Sequence, residues 1–163
     1  MTITLAVRNE SRRKYAYRTD DLRRLAERVC RGERYTADAE LSVLFCDDAA
    51  MSELNGRYRR KHEPTDVLSF CQDGHAVVPR GQRVALGDIV ISLETVEERC
   101  GGERAALRHE VRWLFCHGLL HILGWKHDSA ASRERMIARQ AHYLGLPHDG
   151  AGPRQTRRQQ DKE

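Results

Sequence analysis

The sequence predicts a single α+β domain, in which a small mixed four-stranded sheet packs with about five helices. A three-histidine metal site is expected on a C-terminal helix and the turn after it. Three observations carry this prediction. Strand-like and helix-like periodicities interleave through residue 58; two strand patterns then follow with no helix between them; from residue 92 onward the pattern is helical. Interleaved and then segregated elements of this kind build an α+β layer around one small sheet. A chain of 163 residues suits one domain, able to bury about two-thirds of its unfolded surface.

The elements follow in order. ITLAV at 3–7 alternates apolar residues at 3, 5 and 7 and reads as a strand. Thr19 reads as an N-cap, with Asp20 and Asp21 in the first turn and Leu22, Leu25, Ala26 and Val29 on one face. Gly32 reads as the stop of that helix. ELSVLFC at 40–46 makes a second strand, and Asp47 and Asp48 open a short helix through Leu54 to Tyr58. After Pro64 a third strand is expected near 66–71. Residues 72–83 carry two glycines and a proline and read as an exposed connection. LGDIVIS at 86–92 is the fourth strand. A short helix then runs from Ser92 to about Arg99, Gly101 and Gly102 break it, and a long helix covers about 103–123. Gly124 ends that helix, and a last one spans about Ser129–Leu144. From about Pro147 periodicity is lost, and 147–163 reads as a flexible basic tail.

Composition narrows the function. No apolar run resembles a signal peptide or approaches a membrane span, so a soluble, cytoplasmic protein with no membrane partner is expected. Five cysteines without CxxC spacing read as reduced and mostly buried thiols. The net charge of +4 is compatible with nucleic acid without establishing it.

The strongest local signal is HGLLHILGWKHD at 117–128. On a helix His117 and His121 are one turn apart on one face, and Gly124 lets the chain turn so that His127 returns as a third ligand. Three imidazoles with an open position are a catalytic zinc arrangement, whereas structural sites usually close with a fourth protein ligand. The spacing is that of metzincin proteases, but Gly118 stands where their glutamate acts as general base. The site therefore reads as metal-binding and directed at some other hydrolysis. Glu110, two helical turns before His117, reads as a solvated or ion-paired carboxylate, with a role in orienting a ligand as the alternative.

With LNGRYRRKHEPTDVLSF (54–70) and LGDIVIS (86–92) beside that motif, the sequence closely resembles the bacterial YbeY family over roughly residues 3–146. The resemblance implies a YbeY-like domain at 1–146 that is a metal-dependent, single-strand-specific endoribonuclease. It implies a role in ribosomal RNA processing, including 3′-end maturation of the small-subunit RNA, and in ribosome quality control. It makes His117, His121 and His127 the ligands of one Zn²⁺ per chain, and it adds Arg59 as a candidate for phosphate contact and catalysis beside His117 and His121. By itself Arg59 reads as a solvated charge in an RR pair. Single-stranded and ribosomal RNA are the implied partners, with ribosomal proteins and an assembly GTPase beyond them.

Lys126 departs from the family's usual aspartate and is expected to face solvent or RNA; the aspartate's role either passes to Asp128 or is missing. Cys71 departs from the family's usual proline. Asp66 and Asp88 read as strand-end caps or turn residues, and His62, His75, His142 and His148 have no spacing that ties them to a metal. Two other functions stay open: a ribosome-assembly factor with a structural zinc, and a zinc protease.

Overall fold

The computed structural model describes residues 1–72, 79 and 81–147. The expected tail, Pro147 aside, most of the 72–83 connection, His75 and His148 lie outside the described residues. The chain runs β1(Ile3–Asn9), α1(Thr19–Gly32), β2(Ala39–Cys46), α2(Asp48–Arg59), β3(Val67–Cys71), β4(Val84–Ser92), α3(Leu93–Arg99), α4(Arg104–Ile122), α5(Ala130–Leu144). This is the element order read from the sequence.

The sheet order is β1-β2-β4-β3. β1, β2 and β4 are parallel, while β3 pairs antiparallel to β4 and forms one edge. Strand alternation divides the core into two clusters. Leu41, Val43 and Phe45 of β2, with Ile89 and Ile91 of β4, face α1 and α4 and form the larger one. Cys46, Val90 and Leu68, with Leu44 and Phe70, face the other way and are covered by Met51, Ala50 and Leu54 of α2. Helix α4 is the centre of the molecule. Leu107, Val111, Leu114, Phe115, Leu119 and Leu120 are all buried, and the helix lies between the sheet and helices α1 and α5. Its wide apolar surface is that of a helix with neighbours on several sides.

Two helix-end expectations are corrected. Arg18, not Thr19, occupies the N-cap position of α1 and makes no side-chain cap bond. The first turn is closed by Leu22 N–H donating to the Arg18 carbonyl. Helix α1 runs through Gly32 rather than stopping before it, and Glu33 is its C-cap. Gly32 is there for space: a Cβ would lie 2.3 Å from the Tyr143 hydroxyl, so α5 rests directly on the α1 backbone. Asp47 sits at the N-cap of α2 as expected, but without a cap bond. Its carboxylate accepts from Arg13 Nη1 (3.0 Å) and from Arg12 N–H (3.1 Å) instead. By contrast Ser92 and Ser129 cap α3 and α5 with their side chains, the latter in a reciprocal capping box with Ser132.

Burial follows the expectation for most thiols. Cys30, Cys46 and Cys116 are buried, Cys100 is intermediate and Cys71 is exposed. Burial pushes Cys30, Cys46 and Cys116 up to about 12, so Cys116 remains a protonated core thiol beside His117.

Candidate metal centre

Helix α4 carries His117 and His121 on one face, with their Nε2 atoms 3.0 Å apart. Gly124 then adopts φ +101°. Its N–H donates to the His121 carbonyl and that of Trp125 to the Leu120 carbonyl, both at 3.0 Å. This pairing is a Schellman C-cap, which glycine can enter without steric cost. The reversed chain brings back His127, whose ring centroid is 4.5 Å from that of His121 and 5.4 Å from that of His117. One ligand atom from each ring lies within 4.8 Å of the others, so the three could hold a metal ion.

The tautomers show what fits there. His117 Nδ1 is 3.1 Å from Gln140 Oε1, and His121 Nδ1 is 2.8 Å from the Trp125 carbonyl oxygen. Gln140 Nε2 donates to the Trp113 carbonyl at 3.4 Å, which fixes the amide so that Oε1 faces the imidazole. Both partners of the Nδ1 atoms are acceptors, so both Nδ1 atoms carry the proton. The two Nε2 lone pairs are then bare and face each other with no donor between them, an arrangement that suits a shared cation. Two nitrogens on one tetrahedral zinc would stand about 3.3 Å apart, close to the spacing here.

Electrostatics agree with that reading. Burial pushes His117 down to about 4, with His121 adding to the shift. Burial lowers His121 too, followed by the charge of His127; for His127 burial comes first, then Arg133 and Arg59. All three rings are neutral at pH 7, the form that ligates metal. The same shift makes the metal-free fold sensitive to acid. The unfolded His117 takes up its proton near the ordinary value of 6.5, but the folded one does so only near 4. Stability is therefore full above pH ~6.5 and falls as pH drops from there to ~4. Urea midpoints of the stripped protein between pH 7 and 4 should decline, and decline less in His117→Gln. Parallel curves for the two proteins would contradict this.

Arg59, the last residue of α2, is exposed. It lines an open cleft of about 270 Å³ together with Ser69, Cys71, His121, Ile122 and His127. The structure therefore brings Arg59 to the mouth of the histidine cluster, 58 residues away in sequence from His117. Cys71 Sγ lies within reach of the Gln72 carbonyl (3.4 Å) and the Ile122 carbonyl (3.5 Å), which sets the end of β3 beside the last turn of α4. Lys126 is exposed as expected. Asp128 accepts from the Ser132 hydroxyl (3.2 Å) and acts on His127 through its charge.

Other residues fall where the plainer reading put them. Glu110 is 2% exposed and accepts from Arg99 Nη1 at 3.0 Å, while Arg99 Nη2 donates to Asp66 at 2.9 Å. Burial raises the Glu110 carboxyl against the opposing effect of Arg99. It is an ion-paired carboxylate that joins α4, α3 and the start of β3. Asp66 also accepts its neighbour's N–H, from Val67 at 2.7 Å. Asp88 departs from the strand-end reading: β4 begins at Val84, so Asp88 stands inside the strand, where it accepts from Gln72 at 3.3 Å. His62 packs on Gly56, where a Cβ would meet its ring at 2.3 Å, and His142 lies against Tyr143. Gly118 faces the sheet: a Cβ would stand 3.2 Å from Ile89, tighter than an ordinary contact, so a side chain here requires Ile89 to shift.

Two supporting residues were missed from sequence. Gln140 is 1% exposed; its signal was a polar residue at helical spacing between Met136 and Leu144. Glu33 accepts from Trp125 Nε1 (2.9 Å), from Arg139 Nε (2.6 Å) and from the Tyr143 hydroxyl. Burial raises this carboxyl, but the hydrogen bonds from Tyr143, Trp125 and Arg139 outweigh it and hold it below the usual range. The residue whose carbonyl orients His121 is thus anchored to the end of α1.

The family model described as Endoribonuclease YbeY matches residues 6–146. Among curated relatives, Endoribonuclease YbeY of Synechococcus sp. strain RCC307 is 48% identical over 106 residues, 64% of this chain and 66% of that one. The protein of the same name from Prochlorococcus marinus strain SARG is 42% identical over 109 residues, 66% of this chain and 56% of that one. The match thus spans slightly under two-thirds of the former relative and about half of the latter. The one from Pelotomaculum thermopropionicum is 39% identical over 125 residues, 76% of this chain and 82% of its own. The solution structure of TM1509 from Thermotoga maritima aligns over 87% of this chain and 90% of that one, with a TM-score of 0.55 and 21% identity, a likeness of fold. With a match that runs through both strand blocks and all three histidines, this chain belongs to the YbeY family.

Proposed function

We propose that this protein is a zinc-dependent endoribonuclease that cleaves single-stranded RNA, with ribosomal RNA as its substrate. The observation that carries the reading is the convergence of two bare Nε2 lone pairs and a third imidazole on a cleft that Arg59 also lines. Three imidazoles favour zinc among the common metals. When bound in such a set, the ion supplies Lewis acidity and an acidified water. His117, His121 and His127 hold it, and Gln140 and the Trp125 carbonyl keep two of the rings turned toward it. Arg59 offers a planar pair of N–H donors to the non-bridging oxygens of the phosphodiester. That stabilises the charge developing at phosphorus, which phosphoryl transfer needs more than an elaborate base.

The catalytic domain is residues 1–146, with 147–163 as a basic tail. Maturation of the small-subunit RNA 3′ end, ribosome quality control, a cytoplasmic location and work alongside ribosomal proteins and an assembly GTPase complete the proposal on family grounds. Among the described residues no helix is long and apolar enough to cross a membrane. The protease alternative is disfavoured by Gly118, which is packed on Ile89 with no side chain to act as a base.

The test is cleavage of an end-labelled RNA offered single-stranded and as a duplex, with casein in parallel. The zinc-loaded protein should cut the single strand and leave the duplex and casein intact. Chelation should abolish cleavage and added zinc restore it. Binding without cleavage by folded, zinc-loaded protein would favour an assembly factor with a structural metal instead.

A further inference from the structure

We propose that Tyr58, braced by Phe70, is a stacking platform for one unpaired base of the RNA in the neighbouring cleft, and that it contributes to selecting single strands. This inference rests on the nuclease reading above. Among the described residues, the large hydrophobic side chains that are exposed are Met1 and Tyr58, and Tyr58 is 59% exposed. Met51 is fully buried and Leu54 partly so, and Tyr58 continues their stripe at i+7 and i+4. The stripe thus runs past the end of the core. What meets it there is Phe70, with ring centroids 4.9 Å apart and an interplanar angle of 59°. A tilted contact holds the tyrosine without covering it as a parallel stack would.

Position connects this pair to the cleft. Phe70 lies in the edge strand β3 between Ser69 and Cys71, both of which line the cleft. Alternation along the strand turns Phe70 to the α2 side. Tyr58 precedes Arg59, which reaches the same cleft from the α2 end. A strand with its phosphate at Arg59 can therefore pass over the β3 edge with its next base on the aromatic pair. Arg57 and Arg60, flanking Tyr58 and Arg59 in the chain, are also exposed, and Arg57 pairs with Glu53 at 3.7 Å. Cations that track a backbone beside an open aromatic ring are the combination that binds single strands without sequence preference. Bases in a duplex are already stacked on one another and have no free face to offer. The surrounding positive charge favours RNA over an apolar protein partner as the occupant.

The experiment measures binding and cleavage of a fluorescein-labelled single-stranded RNA by the zinc-loaded full chain. The probes are a mixed-sequence oligonucleotide and an abasic one of equal length, tested on wild type, Tyr58→Ala and Tyr58→Trp. Stacking on an aromatic is worth about 1–3 kcal/mol per base, so Tyr58→Ala should raise Kd and KM about tenfold for the normal RNA. It should leave the abasic strand's Kd unchanged and keep its zinc, and Tyr58→Trp should restore binding. Equal binding of normal RNA by wild type and Tyr58→Ala would overturn the inference, as would an equal loss on the abasic strand. If wild type binds single strands without cutting them, the nuclease reading fails, while the comparison of normal with abasic RNA still decides the platform.

Discussion

Replacing Arg59 with methionine or glutamate should reduce cleavage of single-stranded RNA by roughly 10²–10³-fold, the cost of removing one preorganised charge-stabilising donor, with zinc content unchanged. The residue shares a cleft with His121 and His127 and its charge lowers both of their pKa values, yet none of the metal-ligating atoms belongs to it. Its removal therefore withdraws charge from the substrate side and leaves the donor set whole. Methionine tests the loss of charge, whereas glutamate adds repulsion toward phosphate. Lysine should recover only part of the rate, because it restores the charge without the planar fork. Single-turnover kinetics and metal analysis on the same preparations decide this. Full cleavage by Arg59→Met would remove Arg59 from the mechanism, and loss of zinc would reassign it to the metal site.

Gln140→Leu should weaken zinc binding about 10–100-fold, the usual cost of removing a group that orients a metal-ligating histidine. The side chain is buried, accepts from His117 Nδ1–H and is held by the Trp113 carbonyl. Leucine fills similar space but accepts nothing, so the Nδ1–H is left buried without a partner and the ring has no preferred tautomer. Gln140→Glu keeps an acceptor at the same place and should bind zinc at least as well as leucine at that position does. Chelator competition reads the affinity, and thermal unfolding of the metal-free variants separates it from a loss of fold. Unchanged affinity in the leucine variant would show that helix α4 alone fixes the ring.

The order of the nine described elements was legible in the sequence because each carries its signal within a few residues: period-2 strands, apolar helix faces and glycine breaks. Of the corrected helix ends, that at Arg18 turns on a local backbone bond, but that at Gly32 does not. At Gly32 a distant tyrosine, not local chain reversal, demanded the glycine. The histidine spacing was legible for a related reason, since one helical turn and one Schellman turn bring the three rings together within eleven residues.

What the tertiary structure decided lies between residues far apart in the chain. It placed β3 at the sheet edge, carried Arg59 from the end of α2 to the histidines, set Gln140 behind His117 from 23 residues away, and paired Glu110 with Arg99 instead of a ligand. Local periodicity specifies which face of an element is apolar, not which neighbour covers it. A buried glutamine or an exposed arginine therefore acquires its role only when packing fixes its partner.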